Sequence, residues 1–347
     1  MEEKTLYRDD TYFAASNGYG GFKSYFSEIF ESSEFARIYV LKGGPGTGKS
    51  TLMRKVKSAF SGVASTDSIL CSSDISSLDG VIIERNGVRC AVIDGTAPHE
   101  RDAVIPGAVD EIGNLGQGWS GAALTAMRNE ILDLCGKKKR YYALAYRMLA
   151  LAGGVNACVR DVVALYIRKA TVDALVNEIF ESVTDRDEKR AKPRLYSCFG
   201  KHGYQRLPLN YRQVKKIRKG HASPYLMSAL KERYAALGGV DFLFPSPLDP
   251  SSLEGFCVGD IAFIEDDGPN ATDCSCAVDS KSIADRALIE EFEATKAKHL
   301  SAAKQYFDLA SQEHFKLEKI YSESMDFSAN ASASEKIIDD FSKILKI

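Results

Sequence analysis

The sequence predicts an α/β protein made of three-layer units duplicated in tandem, each copy ending in a helical segment. Three observations carry this. An apolar, β-branched run, Arg37-Ile38-Tyr39-Val40-Leu41, leads into a glycine-rich loop and then into Thr51-Leu52-Met53-Arg54-Lys55-Val56, whose apolar positions fall at helical spacing. Blocks of the first half return in the same order about 170 residues later. Each half then closes in a long stretch of helical pattern.

The loop, Gly43-Gly44-Pro45-Gly46-Thr47-Gly48-Lys49-Ser50-Thr51, fits G-x-x-x-x-G-K-[ST] in the strand-to-helix context that the pattern requires. Its glycines let the backbone fold around an anion with N–H groups turned inward, and the helix N-terminus adds a favourable field. These nine residues are the expected triphosphate-binding set, with Lys49 reaching the β- and γ-phosphates and Ser50 giving its hydroxyl to Mg²⁺. A carboxylate is also needed for the metal. Val88 to Ile93 reads as a strand ending in Asp94, so that acid emerges at the carboxyl edge where open α/β sheets bind ligands. Asp94 is therefore the expected second metal contact. The expected fold is that of a P-loop NTPase, with a nucleoside triphosphate and Mg²⁺ as ligands. The bland readings are a glycine turn that happens to carry a lysine, and an aspartate that opens an ordinary turn.

Other candidates surround this core. Cys71-Ser72-Ser73-Asp74 follows the strand Ser68–Leu70, and Asp74 is expected either to position water or substrate or to cap a turn. Asp94 is followed by Gly95 and not by a glutamate, so the water-orienting carboxylate must come from elsewhere; Asp74, Asp110 and Glu111 are the candidates, with Glu111 and Asp74 taken as catalytic beside Lys49 and Asp94. His99 either senses the γ-phosphate or is an ordinary loop histidine. Trp119, the single tryptophan, either stacks on a base or anchors a helix entry.

In the repeat, Ser76-Ser77-Leu78-Asp79-Gly80 matches Ser251-Ser252-Leu253-Glu254-Gly255, Ala91-Val92-Ile93-Asp94 matches Ala262-Phe263-Ile264-Glu265, Pro98 matches Pro269, and Ala108-Val109-Asp110 matches Ala277-Val278-Asp279. Gly220 and Leu226-Met227 keep the places of Gly43 and Leu52-Met53, but the loop between them is shorter and has no G-K-S. The division is a P-loop NTPase domain over 1–187, with a helical segment over about 117–185, and a degenerate repeat over 188–347 with long C-terminal helices. The first helical pattern, from about 122 to 183, breaks at Gly153-Gly154; the charged stretch from Thr184 to Pro193 is the linker; the second pattern runs from about 283 to 325. Leu300, Ala303, Phe307, Ala310, His314, Leu317 and Tyr321 form a coiled-coil-like seam, to be covered by Lys336–Ile347, by the helices of the first copy, or by a protein partner. Strand Arg194–Phe199 belongs either to the second copy or to the first sheet.

The chain has 347 residues, a net charge of −2 and eight scattered cysteines without C-x-x-C pairs, which argues for reduced thiols and against a disulfide framework or zinc site. The polar start MEEKTLYRDD is no signal peptide, and the apolar run Tyr141–Ile167 is interrupted by Arg147, Asn156, Arg160 and Asp161, so a cytoplasmic protein without a membrane span is expected. The basic runs Lys137-Lys138-Lys139-Arg140 and Arg212 to Lys219 lack interleaved aromatics, which makes solvated faces a better reading than nucleic-acid contacts.

Tyr12-Phe13-Ala14, the glycine loop, Cys71-Ser72-Ser73-Asp74, Ser77-Leu78-Asp79-Gly80-Val81, Ile93-Asp94-Gly95-Thr96-Ala97-Pro98-His99 and Pro106-Gly107-Ala108-Val109-Asp110-Glu111-Ile112 together resemble a little-characterised bacterial family of tandem P-loop proteins, usually labelled ATPases. The resemblance covers most of the first half and, more weakly, the second. It implies ATP binding and hydrolysis. Members commonly carry a phosphate loop in both halves, and this chain departs from that in its second. The alternatives are a nucleotide-sensing scaffold with negligible turnover and a nucleotide or small-molecule kinase.

Overall fold

The computed structural model describes residues 9–181, 191–279 and 286–347. The linker expected at Thr184 to Pro193 therefore lies mostly outside the described residues. The chain begins with β1 (Asp10–Phe13), the hairpin β2 (Ala15–Gly18) and β3 (Gly21–Ser24), and the short α1 (Phe26–Ile29). Then come β4 (Arg37–Lys42), α2 (Lys49–Phe60), β5 (Ser65–Leu70), β6 (Leu78–Arg85), β7 (Val88–Asp94) and β8 (Asp110–Asn114). The helices α3 (Gly121–Ala126), α4 (Arg128–Ala164) and α5 (Lys169–Ile179) close this half. The second half holds β9 (Lys192–Pro193), the hairpin β10 (Ser197–Gly200) and β11 (Gly203–Arg206), β12 (Gln213–Ile217), α6 (Ser223–Ala235), β13 (Phe242–Pro245), β14 (Leu253–Val258), β15 (Ile261–Glu265), α7 (Arg286–Glu323) and α8 (Ser328–Leu345).

The fold is α/β with mixed sheets. The first sheet runs β1-β5-β6-β7-β4-β8 and the second β12-β15-β14-β13-β9. Read from β1 and from β9, the first five positions agree strand for strand. β1 and β5 are parallel, β6 is antiparallel to both its neighbours, and β7 and β4 are parallel; β9, β13, β14, β15 and β12 repeat those directions. Two-residue turns close the central hairpins. Asn86 (φ 51°) and Gly87 (φ 78°) join β6 to β7, the pairing that a twisted antiparallel hairpin favours.

Strict alternation along each strand sorts side chains to two faces. Ile38, Val40, Ile82, Ala91 and Ile93 turn to one core, which they share with Cys257, Ala262 and Ile264 of the second sheet. Tyr39, Leu41, Val81, Ile83 and Val92 turn to α2 and α8. For each sheet the layers are thus helix, sheet and the opposing half, compatible with a three-layer α/β arrangement.

The helical segments cross over. Val172, Val176 and Ile179 of α5 pack into the core of α6 and the second sheet, while Ile337, Phe341 and Leu345 of α8 pack on α2 and the first sheet. Phe341 is fully buried, a contribution of about 1.5–3 kcal/mol for one such ring. Paired bridges mark the two crossings: Trp119 with Met325, and Val278 with Ile167. Arg168 N–H donates to Ala277 O, as Asp326 N–H does to Gly118 O. By these contacts Ala277-Val278-Asp279 lies at the entry to α5 as Gly118-Trp119-Ser120 lies at the entry to α8, whereas the expected match was to Ala108-Val109-Asp110.

One further expectation changes, and one open alternative is decided. Gly153-Gly154 does not break a helix, because α4 runs through it; Gly153 is small for packing, since a Cβ there would lie 2.6 Å from Tyr19 Cβ. The stretch 194–199 goes with the second half: Arg194 N–H donates to Leu243 O of β13 and Ser197–Gly200 forms the second hairpin, while Leu195 bridges Phe13 of β1. Arg194 ties the halves together, with Nη1 2.5 Å from Asp10 Oδ2 and Nη2 3.3 Å from Asp67 Oδ2. The seam on α7 closes within the chain against α4, with Ala303 and Phe307 buried beside Ala145 and Leu149. By length and composition α4 is the one described helix long and apolar enough to cross a membrane.

Candidate functional site

A cavity of about 1290 Å³ opens at the carboxyl edge of the first sheet, lined by the whole loop Gly43–Thr51. The loop leaves β4 and enters α2 through left-handed glycines, Gly46 (φ 70°) and Gly48 (φ 80°), a region that favours glycine. Gly48 is the N-cap of α2 and offers no side chain, so no cap covers the helix start, and no acidic residue occupies the first turn. Lys49 folds back: Nζ donates to Gly43 O at 2.7 Å and Gly44 O at 2.9 Å and lies 3.6 Å from Asp94 Oδ2. Ser50 Oγ accepts from Leu78 N–H at 2.9 Å.

Asp94 stands at the end of β7, with Oδ1 receiving the N–H of Thr96 at 2.9 Å and its hydroxyl at 2.6 Å, which leaves Oδ2 toward Lys49. Burial pushes its carboxyl above the usual range; Lys49 and the Thr96 bonds pull the other way without cancelling this. Ser50 Oγ and Asp94 Oδ2 are the oxygens that suit a hard cation here.

Of the remaining expected residues, Asp74 reaches the cavity and Glu111 does not. Asp74 Oδ1 accepts from Ser76 N–H and Oγ, the turn-capping role, and Oδ2 lies 3.5 Å from Lys201 Nζ. Burial pushes its carboxyl up, but the Ser76 bonds and Lys201 outweigh that and hold it below the usual range. Glu111 is paired in register with Tyr39, three residues before Lys42 and hence about 10 Å back from the loop edge. It pairs with Arg37 at 3.5 Å and lines a separate cavity of about 260 Å³. Asp110 is fully buried and structural, accepting from Ser32 Oγ and from the N–H groups of Val104 and Ile105.

Asp79, Tyr142, Lys201 and Asn330 were not singled out as site residues by sequence, whereas His99, Trp119 and the run Lys137-Lys138-Lys139-Arg140 were. Asp79 pairs with His99, Oδ2 to Nε2 at 3.0 Å. Both are buried, and both line the cavity. Lys201, on the β10–β11 turn of the second half, crosses to the first half's cavity, 3.3 Å from Ser311 Oγ and 4.6 Å from the Phe315 ring centre. Lys138, Lys139 and Tyr142 of α4 line the same far end. In the other basic run, two residues of β12 form ion pairs, Lys215 with Glu181 and Lys216 with Asp266. The elbow between α7 and α8 sits on the loop: Asn330 Nδ2 donates to Thr47 O at 2.8 Å. Trp119 covers Gly44, 3.2 Å from where its Cβ would be, and packs against Tyr321. Among known proteins, no family model, no curated protein and no solved structure matches the chain.

Proposed function

We propose that the first half is a P-loop unit that binds ATP with Mg²⁺ and hydrolyses it, and that the second half is a degenerate copy that takes no triphosphate. One observation carries this reading: the left-handed glycines, Lys49 and Asp94 share one cavity wall, with Lys49 3.6 Å from Asp94. The loop N–H groups and the uncapped start of α2 hold the phosphates. Lys49 leaves the carbonyls of Gly43 and Gly44 for the β- and γ-phosphate oxygens. Ser50 and Asp94 fit Mg²⁺, which takes one or two protein oxygens, and the bound ion neutralises charge on the transferred phosphoryl group. Tandem duplication is supported by the shared strand order and directions. The elbow on Thr47 couples the loop to α8, so turnover moves the helical segments. Eight free thiols fit a reducing cytoplasm.

Phosphotransfer to an acceptor is the second reading. The cavity, at about 1290 Å³, exceeds the roughly 300–1,000 Å³ of a pocket for one small ligand, and its far end carries Lys138, Lys139 and Lys201.

The test is ADP release from Mg·ATP with parallel binding calorimetry, on wild type and Lys49→Ala. We expect turnover in the wild type and a loss of about 100-fold or more in the variant. Binding without turnover shifts the reading to a nucleotide sensor, or to a kinase if an added acceptor restores ADP release. A wild type that binds no nucleotide ends all three.

A further inference from the structure

Under the ATPase reading one part is still missing: Gly95 follows Asp94, and no glutamate stands there to orient the attacking water. We propose that His99 is the general base and that Asp79 holds it in its reactive tautomer, an inference that rests on that reading. Antiparallel pairing sets Gly80 opposite Ile93, so the next pair along is Asp79 and Asp94, on the α2 face. His99 Nε2 lies 3.0 Å from Asp79 Oδ2. An N–H donated there leaves Nδ1 as a bare lone-pair acceptor. Nδ1 is buried and has no hydrogen-bond partner, although His99 lines the cavity that holds the glycine loop. The ring sits between Phe26, stacked at 4.5 Å, and Phe22, edge-on at 5.1 Å. The second half is a natural control. Its equivalent acid, Glu254, is bonded by Tyr204 and Ser197, and five places after Glu265, where the first half has His99 after Asp94, stands Asn270. The base is gone where the lysine is gone.

In the step, the His99 ring turns enough to open the buried Nδ1 to the cavity, and Nδ1 takes a proton from water as the water oxygen bonds to the γ-phosphorus. The bond from γ-phosphorus to the bridging oxygen breaks, and its electron pair leaves with ADP. The imidazolium then returns its proton to the departing phosphate. Asp79 stabilises the imidazolium, stays a carboxylate, and is a positioning residue.

Three variants test this. His99→Gln keeps an N–H for Asp79 but no base; its kcat should fall about 100-fold or more while ATP affinity by calorimetry stays within about threefold. His99→Ala should regain part of its turnover when imidazole is added, a response that a packing role alone does not give. Asp79→Asn should lower kcat about tenfold or more with ADP affinity kept. Thermal unfolding with ADP bound controls for folding; if the Gln variant does not fold, imidazole rescue of the Ala variant decides. A His99→Gln kcat within about threefold of wild type, an affinity that falls in step with kcat, or no rescue by imidazole overturns the base and leaves the ATPase reading standing. A wild type that binds ATP and releases no ADP fails the ATPase reading itself, and the base falls with it.

Discussion

In the first half Asp79 and Asp94 face a cavity; in the second, Glu254 and Glu265 hold the same places and are closed over by their neighbours. Both pairs are cross-strand neighbours, and like charges directly opposite destabilise a sheet. Each half must therefore neutralise its pair. The second does so with groups of its own. Ser223, the first residue of α6 as Lys49 is of α2, donates to Glu265 Oε1 at 2.6 Å. Tyr204 and Ser197 donate to Glu254 at 2.8 Å and 2.5 Å, and Arg206 Nη2 stands 3.7 Å away. The first half uses Lys49 and His99, which themselves line the cavity. The contrast teaches that the same cross-strand pair of acids can be met in two ways, by internal donors that cover it or by groups that themselves line a cavity.

The largest effect that would break this comparison is at the loop. Between β12 and α6 no residue has a left-handed φ, whereas Gly46 does, and a Cβ on Gly46 would stand 2.6 Å from Glu318 O and 3.1 Å from Ser322 N in the backbone of α7. Gly46→Ala should cost about 1–3 kcal/mol for the strained conformation alone, and it should push the elbow off the loop. The expected outcome is a lower Tm and faster proteolysis between Glu318 and Asn330. An unchanged Tm would mean that the elbow is loosely seated and that the loop and α8 are uncoupled.

Arg206 comes next. It reaches Glu254, Asp266 and Glu265 O, and about a quarter of its side chain is exposed. Breaking a fully buried pair costs about 3–5 kcal/mol, so Arg206→Ala, partly screened, should lose about 2 kcal/mol in denaturant unfolding. ATP turnover should stay put. A parallel fall in turnover would show that closure of the second half supports the first half's chemistry.

What could be read from the sequence follows from the range of the physics. The glycine loop and Asp94 are local signals, a strand, a turn and a helix within a few residues, and the structure places Gly43–Thr51 and Asp94 together. Asp79 was visible as part of a repeated block, but its place beside Asp94 depends on the register of β6 against β7, and its contact with His99 on a loop that folds back. The exchange of α5 and α8 was hidden because an amphipathic helix says that a face is covered, not by which sheet. Gly153 read as a break because a helical glycine is costly, and only the approach of Tyr19 explains it. Glu111 follows Asp110 in sequence, yet alternation and its early place on β8 turn it to Arg37.

The smallest predicted effect is the sharpest test of closure. Glu265 is buried, and burial pushes its carboxyl above the ordinary 4.5; the Ser223 bond and Lys219 pull it down without cancelling this. The unfolded chain gives up that proton at the ordinary value. Between there and the folded value the folded state binds more protons, so stability falls as pH rises through that window and stays lower above it. Glu265→Gln keeps an acceptor for Ser223 and has no charge to bury. Its Tm should exceed that of wild type by a few degrees at neutral pH, with the gap closing as pH drops toward 4.5, and ATP turnover should be unchanged. A lower Tm at neutral pH would mean that a partner in the fold needs this carboxylate in its charged form. That outcome would count against the proposal that the second half takes no triphosphate.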